Sequence, residues 1–109
     1  MSPLEITTEQ RDGQTRVALV GELDMASAPH FEEGLAKVEG DNPGVLVLDL
    51  RRVEFIDSTG LRAVIAADER ARSAGRRFVI VRGTAAVERV FSVTQLDQRL
   101  EIVDDPDSV

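Results

Sequence analysis

The sequence contains no cysteine, tryptophan or tyrosine, and phenylalanine occurs at only four positions. Without cysteine the chain has no disulfide, no thiolate metal ligand and no thiol nucleophile. No apolar run approaches the length that spans a bilayer, and Met1–Glu5 lacks the basic and apolar regions of a signal peptide. We therefore expect a cytoplasmic location and no membrane partner.

Basic residues are also scarce. The chain of 109 residues has 13 Lys and Arg against 20 Asp and Glu, a formal net charge of -7. This balance disfavours binding to nucleic acid by phosphate neutralisation, and the aromatic residues that stack on bases are nearly absent. We expect no direct contact with nucleic acid and favour a protein partner with a basic docking face.

What the chain does have is aliphatic periodicity. Hydrophobic residues make up 42% and charged residues 30%, which is typical of a folded domain, and we expect one domain over residues 1–109. Strand and helix patterns follow in the order β-β-α-β-α-β-α-β, with a hairpin at Asp12-Gly13. This order predicts a single-domain α/β fold with a mixed, mostly parallel sheet and helices packed on it. The core should cover about 4–103, and the acidic tail 104–109 should fray.

The segments that bear on function lie at strand ends. They are a strand at 16–20, the loop 21–24, a buried aliphatic strand at 45–50, and the turn 57–60 before a helix over about 59–74. Open α/β sheets bind ligands and partners at the carboxyl ends of their strands. If the two strands are parallel neighbours, Asp24 and Ser58 share one edge of the sheet.

The turn Asp57-Ser58-Thr59-Gly60 has the chemistry of a switch. Ser58 can accept a hydrogen bond from a backbone N–H at the helix start while its hydroxyl stays exposed, and Gly60 leaves room for a partner. A phosphate on this hydroxyl would add about -1.5 to -2 charges beside Asp57. In an interface that change costs about 2–5 kcal/mol, or roughly 30- to several-thousand-fold in affinity. Taken alone, however, the tetrapeptide is more often only a helix cap.

Further residues support more than a cap. They are Gly21-Glu22-Leu23-Asp24, the strand 45–50, Phe55-Ile56-Asp57-Ser58-Thr59-Gly60-Leu61, the stretch 74–81, Val90-Phe91 and Leu96-Asp97. On these motifs the chain resembles the STAS domain family and, within it, the free-standing bacterial anti-sigma factor antagonists. The resemblance extends from about Leu4 to Val103.

The resemblance implies a mechanism. Proteins of this kind bind an anti-sigma factor that is also a serine kinase, which frees the sigma factor. The kinase then uses ATP to phosphorylate the serine of the turn and ends the binding, and a serine phosphatase restores it. The implied acceptor is Ser58, with Thr59 as the alternative. The implied docking residues are Glu22, Asp24, Asp57, Ser58, Thr59, Gly60 and Leu61. The resemblance implies neither a cofactor nor enzymatic activity.

Two other functions could use the same residues. A STAS subunit of a transporter or of a signalling scaffold would present the same surface to a different partner. A small serine hydrolase would need His30, the single histidine, beside Ser58, but Ile56 stands where the nucleophile elbow requires glycine.

Two clusters of charged residues are not expected to form ligand sites. Glu22, Asp24 and Asp57 lack the spacing of a calcium loop, so we expect no metal. The basic residues Arg70, Arg72, Arg76 and Arg77 lie near a helix end, where positive charge complements the helix dipole.

Overall fold

The structure, a computed structural model, describes residues 3–109. Its strands are β1 (Glu5–Arg11), β2 (Gln14–Leu23), β3 (Val45–Ile56), β4 (Arg77–Val81) and β5 (Glu101–Val103). Its α-helices are α1 (Ala28–Gly40), α2 (Ser58–Ala74) and α3 (Ala85–Val93), with short 3-10 turns at Leu96–Gln98 and Pro106–Ser108. The element order agrees with the order predicted from the sequence.

The strands form one sheet in the order β1-β2-β3-β4-β5. The β1–β2 pair is antiparallel and the other three pairs are parallel, so the predicted mixed, mostly parallel sheet is confirmed. Asp12 and Gly13 both have positive φ, 52° and 78°, as a two-residue type I′ hairpin requires. All three helices contribute buried residues to the core cluster that contains Leu46 and Leu48 of β3, so the helices cover the same face of the sheet.

The central strand β3 is buried on both faces, as its continuous aliphatic run predicted. Leu46, Leu48 and Leu50 point into the main core, where they join Phe31 of α1 and Val64 of α2. Val47, between them, points to the opposite face and is also fully buried. This opposite face is crossed by residues 104–109, and we call it the tail-side face.

The expectation that the acidic tail frays is wrong. Arg16 on β2 donates a hydrogen bond to the carbonyl of Pro106 at 3.1 Å and lies 3.2 Å from the carboxylate of Asp107. Gln14 donates to the carbonyl of Val109 at 3.2 Å, and Pro106 is buried. The sequence pattern did not indicate this contact because the partners lie about ninety residues away along the chain.

A second ion pair lies on the tail-side face. Burial alone would raise the pKa of Asp49, but hydrogen bonds from Arg51 and the charges of Arg51 and Arg16 lower that pKa on balance. The Arg51 guanidinium approaches the Asp49 carboxylate to 2.7 Å. The pair satisfies a half-buried charge on the central strand without involving the helices.

Both strands that lead to the candidate site are longer than predicted. β2 and β3 remain paired through Leu23 and Ile56, with register shifts after Ala18 and Gly21. Backbone pairing therefore continues past the polar residues that suggested loops, and Glu22 lies in a strand. Among the described residues, none of the helices combines the length and apolar composition needed to cross a membrane.

Candidate functional site

Two connections emerge at the same edge of the sheet. β2 and β3 are parallel neighbours whose last paired residues are Leu23 and Ile56. The loop that starts at Asp24 and the turn that starts at Asp57 therefore lie side by side, and Asp57 N–H donates to the carbonyl of Leu23 at 3.2 Å. We call this surface, residues 22–27 and 57–62, the rim. The predicted proximity of Asp24 and Ser58 is present in the structure.

Asp57 holds the rim together. One carboxylate oxygen accepts from the N–H of Gly60 at 2.8 Å and caps α2, and the other accepts from the N–H of Met25 at 2.9 Å. One side chain thus caps a helix and ties the neighbouring loop to it. The expectation that Ser58 could cap the helix is wrong, because the residue before it has the extended backbone of a cap and a carboxylate of the right reach.

The Ser58 hydroxyl is left for other chemistry. Ser58 is the first residue of α2 and is exposed, and its side chain makes no hydrogen bond within residues 3–109. Thr59, the alternative acceptor, is half-buried. Both hydroxyls reach the surface, and Ser58 is the more accessible of the two.

Glu22 at the end of β2 and Asp24 in the loop that follows are both half-buried. Asp24 accepts from the N–H of Ser27 at 3.0 Å, and the Ser27 hydroxyl donates to the carbonyl of Glu22 at 2.7 Å. These bonds give the loop a fixed shape before any partner arrives. Glu22 and Asp24 both keep part of their surface in solvent.

Gly60 and Leu61 are buried and pack within the domain. Gly60 is buried, and a Cβ added to it would lie 2.3 Å from the carbonyl oxygen of Leu23. The glycine lets α2 approach the end of β2, so packing within the domain already requires it. That a partner also docks at Gly60 stays a prediction. Leu61 is only 9% exposed and belongs to the core.

The structure adds two apolar residues that the sequence reasoning missed. Met25, in the loop tied to Asp57, is 73% exposed, and Phe55, near the end of β3, is 50% exposed. Beside Met25 lies a groove of about 340 Å³ between α1 and α2, which we call the α1–α2 groove. It is lined by Met25, Ala28, Pro29, Glu32, Thr59, Arg62 and Ala63. The only sequence signal was an apolar Met in a turn of small and polar residues.

The hydrolase constellation is not assembled. His30 is exposed on α1, where it lines a different groove together with Ile6 and Thr8 of β1. Thr59, next to Ser58, lines the α1–α2 groove instead. His30 and Thr59 thus line different grooves, and no hydrogen bond joins His30 to Ser58 within residues 3–109.

The acidic residues of the rim do not gather around a cation. No group of three His, Asp or Glu side chains suited to a metal occurs among residues 3–109. Both carboxylate oxygens of Asp57 are already engaged with backbone N–H groups.

The four arginines near the end of α2 each bond to a different neighbour rather than forming one patch. Arg70 pairs with Glu39 at 3.0 Å, and Arg72 pairs with the buried Asp68 at 2.9 Å. Arg76 donates to the carbonyl of Pro43 at 3.1 Å, and Arg77 pairs with Glu101. These bonds join α2 and β4 to the elements around them.

Replacing Asp57 should both weaken the fold and loosen the rim. Asp57→Ala removes the cap of α2 and should lower the free energy of unfolding by about 1–2 kcal/mol. The amide of Met25 should also exchange with solvent faster, which hydrogen exchange measures directly. Glu54→Ala, at an exposed position just before the turn, is the matched control. Equal unfolding midpoints in urea for the two variants would contradict this role of Asp57.

The fold and the site together define a class: a small α/β domain that presents an exposed hydroxyl just after the carboxyl end of its central strand. Residues 6–104 match the family described as Mlab, STAS domain. Because this match takes in nearly the whole chain, the chain belongs to the STAS domain family.

Relatives of known role share this domain. The chain is 33% identical over 81 residues to anti-sigma-F factor antagonist RsfB of Mycobacterium tuberculosis, a match over 74% of this chain and 66% of RsfB, just under two thirds of its length. It is 26% identical over 99 residues to an anti-sigma-B factor antagonist of Staphylococcus aureus, over 91% and 92% of the two chains. The crystal structure of an anti-sigma factor antagonist from Mycobacterium paratuberculosis superposes with a TM-score of 0.89 at 32% identity, covering 96% of this chain and 89% of that one.

Proposed function

We propose that this chain is an anti-sigma factor antagonist. In its unphosphorylated form it docks through the rim on an anti-sigma factor with serine kinase activity, which frees the sigma factor in the cytoplasm, and phosphorylation of Ser58 ends the docking. The observation that carries the proposal is the exposed hydroxyl of Ser58 at the start of α2, which makes no hydrogen bond within residues 3–109, in a chain that is similar to proteins named as such antagonists.

The rim suits a basic partner. Glu22, Asp24 and Asp57 bring three carboxylates to one edge of a chain whose net charge is already -7. Met25 supplies an exposed apolar contact in their midst. A docking face with basic residues around an apolar centre would be steered to this surface and held there.

The switch needs no change of fold. In the transfer, the Ser58 oxygen forms a bond to the γ-phosphorus of ATP, the bond from that phosphorus to ADP breaks, and the hydroxyl proton passes to a base on the kinase. The product places a group of about -1.5 to -2 charges beside Asp57. Hydrolysis by a phosphatase returns the hydroxyl and releases inorganic phosphate.

The proposal is tested by reconstitution. The purified chain is mixed with each anti-sigma factor kinase of its source genome, with and without ATP. We expect a stable complex without ATP, and with ATP the gain of one phosphate that tandem mass spectrometry assigns to Ser58. Ser58→Ala should bind without gaining phosphate, and Thr59→Ala should still gain it.

Other results would redirect the assignment. A phosphate retained in Ser58→Ala and lost in Thr59→Ala would make Thr59 the acceptor. Failure to bind any such kinase, together with a stable complex with a transport ATPase or a signalling scaffold, would instead support the alternative kind of STAS subunit.

A further inference from the structure

Arg62 lies one helical turn after Ser58 on α2. Residues four apart on a helix face the same way, so the guanidinium of Arg62 and the hydroxyl of Ser58 share one side of α2. Thr59 is three residues before Arg62 and lines the α1–α2 groove with it. Both candidate acceptors therefore lie within one helical turn of the same exposed cation.

No other group competes for this cation. Arg62 makes no ion pair within residues 3–109. The acid that lines the same groove, Glu32, pairs with Arg70 at 3.6 Å. The carboxylate nearest along the chain, Asp57, accepts two backbone N–H bonds that hold it against the loop. Arg62 is therefore available for a negative charge that arrives later.

We propose that Arg62 binds the phosphate when Ser58 is phosphorylated. This inference rests on the proposed modification of Ser58 and specifies how the modified state is held. The guanidinium closes on the phosphate oxygens along α2 through charge-assisted N–H···O bonds. The phosphate then lies along the helix at the mouth of the α1–α2 groove, and the cation is withdrawn from any partner. A partner must open this pair before it can dock again.

The test measures the phosphate itself and needs no kinase. Phosphoserine is encoded at position 58 by nonsense suppression, and its ³¹P resonance is followed against pH at low salt. The second ionisation of phosphoserine lies at a pKa of about 6. Because the pair with Arg62 favours the dianion, that pKa should be lower than in the Arg62→Gln variant by about 0.15–0.4 unit.

Matched variants distinguish a specific pair between Arg62 and the phosphate from the general effect of removing one positive charge. Arg62→Lys should keep part of the shift, because the positive charge remains but the planar guanidinium is lost. Arg89→Gln removes an exposed arginine of α3 and should leave the titration unchanged. Circular dichroism confirms that each variant is folded.

Equal titration midpoints in the parent protein and in Arg62→Gln would overturn the inference. Because the phosphoserine is installed genetically, this result does not depend on whether any kinase modifies Ser58. Failure of the reconstitution with kinases would count against the proposed function, whereas failure of the titration would count only against the role of Arg62.

Discussion

Ser58→Asp should weaken binding to the anti-sigma factor kinase by roughly 30-fold or more, whereas Ser58→Ala should change it by less than about threefold. A carboxylate at this position lies beside Asp57 on a rim that already carries Glu22 and Asp24. Burying that charge without a partner, next to like charges, costs about 2–5 kcal/mol. Alanine removes only a neutral hydroxyl that makes no bond within the described residues of the chain.

The loss should reflect docking and not unfolding. An acidic residue in the first turn of a helix favours the helix dipole, so Ser58→Asp should leave the melting temperature unchanged or slightly higher. Ser73→Asp places the same charge at an exposed position at the far end of α2 and serves as the control. Calorimetry on both variants with the purified kinase gives the affinities. Ser58→Asp binding as tightly as Ser73→Asp would remove the charge argument.

The hydrophobic periodicity of the sequence correctly predicted which strand is buried and which strands are parallel. The aliphatic run 45–50 identified a strand buried on both faces, and the alternation with helices indicated parallel neighbours. From those two features it followed that Asp24 and Ser58 would share an edge. The prediction of the rim therefore needed no knowledge of side-chain packing, only of strand direction.

The roles of individual rim residues depend on distances that a sequence does not contain. From the sequence we predicted that Ser58 could cap α2. In the structure α2 begins at Ser58, so Asp57 before it caps the helix and also accepts from the N–H of Met25. Leu61 carries the family pattern but points into the core. Which residue caps the helix and which side chain enters the core depend on the backbone conformation of this one turn, and hydrophobic periodicity does not determine that conformation.

The same limit explains the missed contacts far apart in the chain. The tail is acidic and carries Pro106, which by composition favours a mobile end, yet Arg16 and Gln14 of β2 hold it against the sheet. Nothing in the local pattern of either segment points to the other. Composition predicts whether a segment can fold alone, not whether a distant strand offers it hydrogen bonds.

Gly60→Ala should lower the free energy of unfolding by about 2–3 kcal/mol, the opposite of what helix propensity predicts. In an unobstructed helix this change stabilises by roughly 0.5–1 kcal/mol. Here the new Cβ would lie 2.3 Å from the carbonyl oxygen of Leu23 and 2.9 Å from its carbonyl carbon, both of them backbone atoms. α2 must therefore move away from the end of β2, and overpacking of this kind costs about 1–3 kcal/mol or more. The shift also strains the bond from Asp57 N–H to the Leu23 carbonyl.

The matched control is Gly40→Ala, at the last residue of α1, where an added Cβ would meet no atom within 4 Å. This variant should be as stable as the parent or slightly more stable. Thermal melts should show Gly60→Ala lower than Gly40→Ala by roughly 8–20 °C for a domain of this size. If the two variants melted together, α2 could not be packed against Leu23 as closely as described. The glycine of the turn would then have to be explained by what docks on it.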